Sequence, residues 1–364
     1  MPRHSAALPL RILALALLST LAFASARAAT DPAADLLEHG AFKRARAELE
    51  RRLAAHPDDP MTLALMGQVK LFYGDLASAR AMGERAVQMD PNNAEFHLWL
   101  GEAYGVTAQK APVLRKMGWG KKFRHETETA IALDPRQVEA RENMMQFFLV
   151  APGIAGGDKN KAKVMAAEIV AIDPARGQLA LARIALSEKD SATADARYRD
   201  AARVDPTSYD GRIGAANWFA YSRDNLAEAE RDARAALEVG PDRIGAYAVL
   251  AAVYAHGERW PELDGILESA ERAVPDNFTA HFSAAATLIT EKKDAPRAER
   301  YLRQYLGVEP EPNRPSWARA HWRLAGALEQ QSKKAQAVAE LETAIKLDPG
   351  FDDAKKDLKR LKRA

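Results

Sequence analysis

The chain of 364 residues contains no cysteine. Without a thiol it cannot form a disulfide, supply a thiolate nucleophile, hold zinc or an iron–sulfur cluster through sulfur, or attach a c-type haem. Aromatic residues are scarce, 7% against 47% hydrophobic residues in all. Alanine fills much of that gap, which favours close-packed helices over β-sandwiches, because strands draw on β-branched and aromatic side chains. An excess of one charge is also missing, with 52 Lys and Arg facing 50 Asp and Glu. A nucleic-acid binder would show a basic excess or stripe, so no nucleic-acid partner is expected.

Long apolar runs are missing too, apart from Ile12 to Ala24, which is broken only by Ser19 and Thr20. This run is shorter than the roughly 20 residues a bilayer span needs. It follows Arg3, His4 and Arg11 and precedes the small-x-small sequence Ala26-Arg27-Ala28. Those flanks predict a cleavable signal peptide over residues 1–28. Cleavage there removes three arginines and no acid, leaving 49 basic against 50 acidic side chains. With no cysteine after the cleavage site to carry a lipid, the expected product is a soluble periplasmic or secreted protein with no integral membrane span. A thiol-free chain also avoids mispairing in that oxidising compartment.

What the sequence does contain is a recurring helix end marked by proline, at Pro57, Pro91, Pro135, Pro174, Pro206, Pro241, Pro275, Pro310 and Pro349. Proline lacks an amide hydrogen and pushes its predecessor out of the α region, so each one stops a helix. Successive marks are 34, 44, 39, 32, 35, 34, 35 and 39 residues apart. Small residues stand at fixed places before them. Five positions back lie Ala86, Ala130, Ala201, Ala236, Ala270 and Ala344, with Arg52, Ile169 and Tyr305 as exceptions. Twelve back lie Ala45, Ala79, Ala162, Ala194, Ala229, Ala298 and Ala337, with Phe123 and Leu263 departing. Small side chains there let two helices approach closely. Preceding helices carry Leu63-x-x-Met66-Gly67, Trp99-Leu100-Gly101-x-x-Tyr104, Tyr247-x-x-Leu250-Ala251-x-x-Tyr254 and Leu324-Ala325-x-x-Leu328.

Together these positions resemble the tetratricopeptide repeat, a helix-turn-helix unit of about 34 residues. The resemblance runs from about Asp31 to Pro349 in nine units, and Pro60 to Asn93 and Ala318 to Phe351 fit best. It implies an all-α, right-handed α-solenoid occupying residues 29–349, its first helix truncated near Asp31. Residues 350–364 then form a C-terminal capping helix, with Leu358 and Leu361 on its apolar face. Ten extra residues fall within Ala108 to Lys122, and five around Pro152 to Asp158.

Several sites invite chemistry and have plainer explanations. Gly153-Ile-Ala-Gly156-Gly157-Asp158-Lys159 lacks the spacing and the Gly-Lys-Ser/Thr of a phosphate loop. It reads as a helix-joining turn with Asp158 as cap. Gly118-Trp119-Gly120-Lys121-Lys122-Phe123-Arg124-His125 starts like a dinucleotide fingerprint, but Phe123 replaces the third glycine. Its aromatic and basic residues suit either contact with an anionic partner, lipid head group or glycan, or a tryptophan plugging a gap while the cations stay solvated. His97, His281 and His321 each lie six residues after a proline, in different units, so they cannot meet on one metal ion. Acidic pairs such as Asp58-Asp59, Glu309 with Glu311, and Asp352-Asp353 are read as solvated turn residues. No Gly-x-Ser-x-Gly elbow occurs. No catalytic residue, cofactor or metal is expected.

The resemblance also implies peptide or protein binding on a concave surface lined by the first helix of each unit. Candidate partner-binding residues are Leu71, Phe72, Leu98, Glu102, Tyr104, Trp119, His256, Trp322 and Glu329. Gln68, Glu102, Ala252 and Gly326 stand where carboxylate-clamping members carry Asn, so that activity is not expected. The expected function is a non-catalytic scaffold or adaptor of the bacterial cell envelope. The alternative is an accessory for envelope polymers such as glycan or peptidoglycan, or for secretion and assembly machinery.

Overall fold

The structure is a computed structural model that describes residues 31–222 and 225–363. The expected signal peptide lies outside the described residues. Among those, all regular elements are helical. The chain opens with α1 (Pro32–Glu38) and α2 (Phe42–Ala55), α3 (Pro60–Phe72) and α4 (Leu76–Met89), and α5 (Ala94–Lys110) and α6 (Val113–Leu133). Next come α7 (Val138–Val150) and α8 (Lys159–Ile172), α9 (Pro174–Ser187) and α10 (Ser191–Val204), and α11 (Tyr209–Tyr221) and α12 (Leu226–Val239). The last hairpins are α13 (Ile244–His256) with α14 (Trp260–Ala273), α15 (Thr279–Glu291) with α16 (Ala295–Leu306), and α17 (Trp317–Gln330) with α18 (Lys334–Leu347), closed by α19 (Asp352–Arg363).

Eleven of the helices begin at a side-chain cap. Asp31, Asp59, Asp75, Asn93, Asp158, Asp173, Asp190, Ser208, Asn225, Asp294 and Ser316 each cap a helix through a side-chain oxygen that accepts a backbone N–H. Such a cap is worth about 1 kcal/mol over alanine. The prolines end helices as their chemistry requires, and Pro174 also starts α9 directly with Asp173 as cap. Every one of the thirteen alanines counted from the prolines is at most 2% exposed. The helices therefore meet at the spacing that a methyl group allows.

The hairpins stack in two layers. First helices pack on one another, α3 on α5, α9 on α11 and α13 on α15, while each second helix wedges between its own partner and the next hairpin. The result is an α-solenoid. The ten extra residues of the third unit lengthen α5 and α6 rather than forming a loop. Those of the fourth form a 3-10 turn, Gly153–Ala155, followed by Gly156 at φ +100°, a conformation only glycine adopts cheaply. At the C-terminal end α19 buries Ala354 and Leu361, with Leu358 half-covered beside them. No helix among the described residues is long and apolar enough to cross a membrane.

The array curls until its first hairpin meets its last units. The Lys43 ammonium at the start of α2 donates to the carbonyls of Asp276 (2.6 Å) and Glu309 (2.7 Å), and its backbone N–H donates to Glu311 (3.2 Å). Arg46 pairs with Glu309, Arg243 with Glu38 at 2.6 Å, and His39 with Asp242 at 2.9 Å. The segment 307–316 that forms much of this seam holds three prolines, and Tyr305 O–H and Trp317 Nε1–H tie it by bonds to Pro315 and Val308 carbonyls. Glu311 is 2% exposed, which corrects its reading as a solvated acid: burial against α2 gives its carboxylate a backbone donor instead of water.

One of the close interhelix approaches puts the packing to the test. A Cβ at Gly177 would stand 2.4 Å from the Val170 Cα, whereas Gly265 has open space around it. Gly177→Ala should destabilise the array by about 1–3 kcal/mol through forced backbone separation. Gly265→Ala should stabilise it by about 0.5–1 kcal/mol. Urea unfolding followed by circular dichroism distinguishes the two.

Candidate functional site

The inner layer carries an uninterrupted ribbon of polar side chains. On α5 and α7, Asn143 donates to Glu102 at 3.1 Å. Arg176 of α9 binds Glu142 at 2.8 Å and also Glu139, both on α7, and Arg183 stands 3.9 Å from Glu142. Arg243, just before α13, lies 4.0 Å from Asp210 of α11, stacks over Tyr209 at 4.7 Å, and bridges to Glu38 of α1. The ribbon thus runs from the third unit through to the seam. Further along, Arg314 of the 307–316 segment enters the lumen within electrostatic reach of Tyr209, Tyr305, Glu311 and Tyr221. Its Nε makes no hydrogen bond, and burial lowers its affinity for the proton.

Burial sets the charge state of this ribbon. It pushes the Glu102 carboxyl up to about 8, with Asn143 only partly offsetting the cost, and the Glu311 carboxyl up to about 7. Asp210 rises to about 6 although Arg176 and Arg243 pull the other way. Burial also opposes ionisation of Glu142, but Arg176 and Arg183 together hold its carboxyl below the usual range. The lumen therefore combines fixed guanidinium charge with carboxyls that take up protons near neutrality.

His97, His281 and His321 stay in separate hairpins, each beside a glutamate. His97 faces Glu126 at 2.6 Å and the Pro91 carbonyl at 3.0 Å, and these two acceptors favour its charged form. His321 meets Glu340 at 2.5 Å. His281 lies 3.0 Å from Glu271, but burial pushes it down to about 4 and keeps it neutral.

The sequence-predicted partner residues divide sharply. Leu71, Leu98 and Tyr104 are only 6%, 2% and 3% exposed, so they are helix-packing residues and not partner contacts. The reason is the thickness of the inner layer: nine of the thirteen residues of α3 and eleven of the thirteen of α13 are buried by neighbours on three sides. Phe72 packs on Phe42 at 4.2 Å between ring centroids. Trp119 stacks on Tyr104 at 5.7 Å with Arg80 over its ring, outside the lumen, which plugs the space between the lengthened helices and leaves no open aromatic platform. His256 binds Glu291 at 2.6 Å, Trp322 donates to Asp357 of α19 at 2.8 Å, and Glu329 pairs with Arg360. Of the nine, only Glu102 belongs to the charged ribbon. Glu139, Glu142, Arg176, Asp210 and Arg314 were missed, although charged residues inside otherwise apolar first helices, such as Val138 to Met145, are a readable signal.

The raised Glu102 carboxyl gives a pH dependence of defined sign. The folded state holds this proton up to about 8, whereas the unfolded chain releases it near the ordinary 4.5, so between these values rising pH costs stability. Glu102→Gln should therefore unfold at higher urea concentration than the parent at pH 8.5 and at a similar concentration near pH 4.5. Paired urea titrations at those two pH values, roughly bracketing the window, provide the check.

A tetratricopeptide repeat family model matches residues 318–351, the ninth hairpin. No curated protein matches the chain. Among solved structures, yeast Tom70 is 15% identical over 92% of this chain and 88% of that one, with a TM-score of 0.48. A thermophilic TPR protein of Thermus thermophilus is 23% identical over 51% of this chain and 94% of its own, with a TM-score of 0.45. A tetratricopeptide repeat protein from Parabacteroides merdae is 15% identical over 83% of this chain and 98% of its own, with a TM-score of 0.43. The described residues thus form an α-solenoid of nine stacked helical hairpins, the last of which matches the tetratricopeptide repeat model.

Proposed function

We propose that this chain is a non-catalytic scaffold that holds a protein segment in its lumen, acting as an adaptor or assembly factor of the bacterial cell envelope after export by residues 1–28. The carrying observation is the charged ribbon from Glu102 to Arg243, extended by Arg314, on a surface whose apolar side chains are already used in helix packing. Such a surface suits an extended segment rich in polar side chains better than the greasy face of an amphipathic helix. The position of the ribbon on first helices accords with the concave binding that the repeat implies. The signal-like N-terminus and the lack of cysteine support the envelope setting.

The test is position-specific. A photo-crosslinking aromatic residue replacing Tyr221, which is 58% exposed and within reach of Arg314, should capture a discrete partner in intact cells. The same residue at Glu268, which is 70% exposed on α14 of the outer layer, should not. Equal capture at both sites would reject lumen binding. N-terminal sequencing of the exported protein should begin near Ala29, and an intact Met1 would reject cleavage.

A further inference from the structure

The start of α6 projects from the body with nothing packed on it. Residues 112–118 are all exposed, with Val113 at 80%, Leu114 at 96% and Met117 at 52%. On a helix Met117 adjoins both Val113, at i,i+4, and Leu114, at i,i+3. An isolated exposed leucine needs no explanation, but an apolar tip carried outward on a lengthened hairpin does.

Its electrostatic setting is one-sided. In a chain of nearly balanced charge, the stretch 110–125 holds six Lys and Arg and no acid. Lys122 and Arg124 are used internally, over Tyr104 and against Glu128. Lys110, Arg115, Lys116 and Lys121 are exposed and form no ion pair with any described residue. The neighbouring hairpin adds to the same edge. Its turn presents Ile154 at 89% and Val150 at 52% exposure, and it lies against α6, with Arg124 Nη1 3.2 Å from the Cβ position of Gly156. Exposed Lys159 follows it.

We infer that this edge, Val113, Leu114 and Met117 ringed by Lys110, Arg115, Lys116 and Lys121, docks on an anionic lipid bilayer. The surface is convex and made of aliphatic chains and flexible cations. It has no pocket and no fixed hydrogen-bonding pattern with which to select a folded acidic protein. A fluid anionic interface meets both requirements at once, taking the aliphatic tip among its head groups while its charge neutralises the unpaired cations. Docking by this edge does not depend on what the lumen binds.

Cosedimentation of the full-length protein with vesicles of phosphatidylcholine, with and without phosphatidylglycerol, tests the inference. Residues 1–28 are the same in parent and variants, so differences between them report on the tip. Binding should require phosphatidylglycerol and weaken as salt shortens the screening length. Leu114→Asp and the pair Arg115→Glu with Lys116→Glu should each weaken it at least about tenfold, with unchanged circular dichroism because these side chains contact nothing. Variants that bind as tightly as the parent would overturn the inference. So would a parent protein that ignores anionic vesicles yet captures soluble polyglutamate, which would assign the edge to an acidic protein.

Discussion

The distance of closest approach between helix backbones governs this molecule. Where α8 meets α9, the Gly177 position leaves no room for a single added carbon beside Val170. Elsewhere alanine holds the same spacing, as at Ala45, Ala86, Ala201 and Ala344, all fully buried. Interiors packed at crystal density transmit such local distances instead of absorbing them. Repeated over nine hairpins, the spacing fixes the curvature, and the curvature determines that α2 comes back to the turns around Asp276 and Glu309. One larger side chain at a contact would thus shift groups many units away.

The same close packing explains the unusual chemistry of the lumen. With apolar side chains consumed between layers, charged groups line the remaining inner strip, in an environment where desolvation competes with pairing. Arg176 resolves the competition for Glu142, whose carboxyl is held ionised. Glu102 has no guanidinium beside it and keeps its proton. Two glutamates on neighbouring inner helices, one beside guanidinium groups and one beside an amide, therefore carry different charges.

Much of this architecture was legible in the sequence because it repeats. Prolines marked the helix ends, and counting back from them located alanines that proved to be buried contacts. The role of Asp158 as a cap was equally local and equally readable. The candidate site was less so. Leu71, Leu98 and Tyr104 were assigned to a surface because a periodic pattern shows which side of a helix is apolar, but it does not show how many neighbours cover the helix. The burial of Glu311 was unreadable for a different reason: its donor, Lys43, lies 268 residues away, and no repeat pattern specifies a contact between units on successive turns.

That last contact changes how the array should be regarded as a folding object. An open solenoid is a chain of nearest-neighbour couplings, stable by the sum of its links and free to fray at either end. For a flexible chain, joining residues 268 apart would cost roughly 2 kcal/mol more closure entropy than joining residues one unit apart. Here the intervening hairpins are already rigid and present the two ends to each other, so most of that entropy is spent before the seam forms. The seam is consequently formed late on a preassembled array, and while it holds, it ties the first hairpin to the turns around Asp276 and Glu309, so that the N-terminal hairpin does not fray alone.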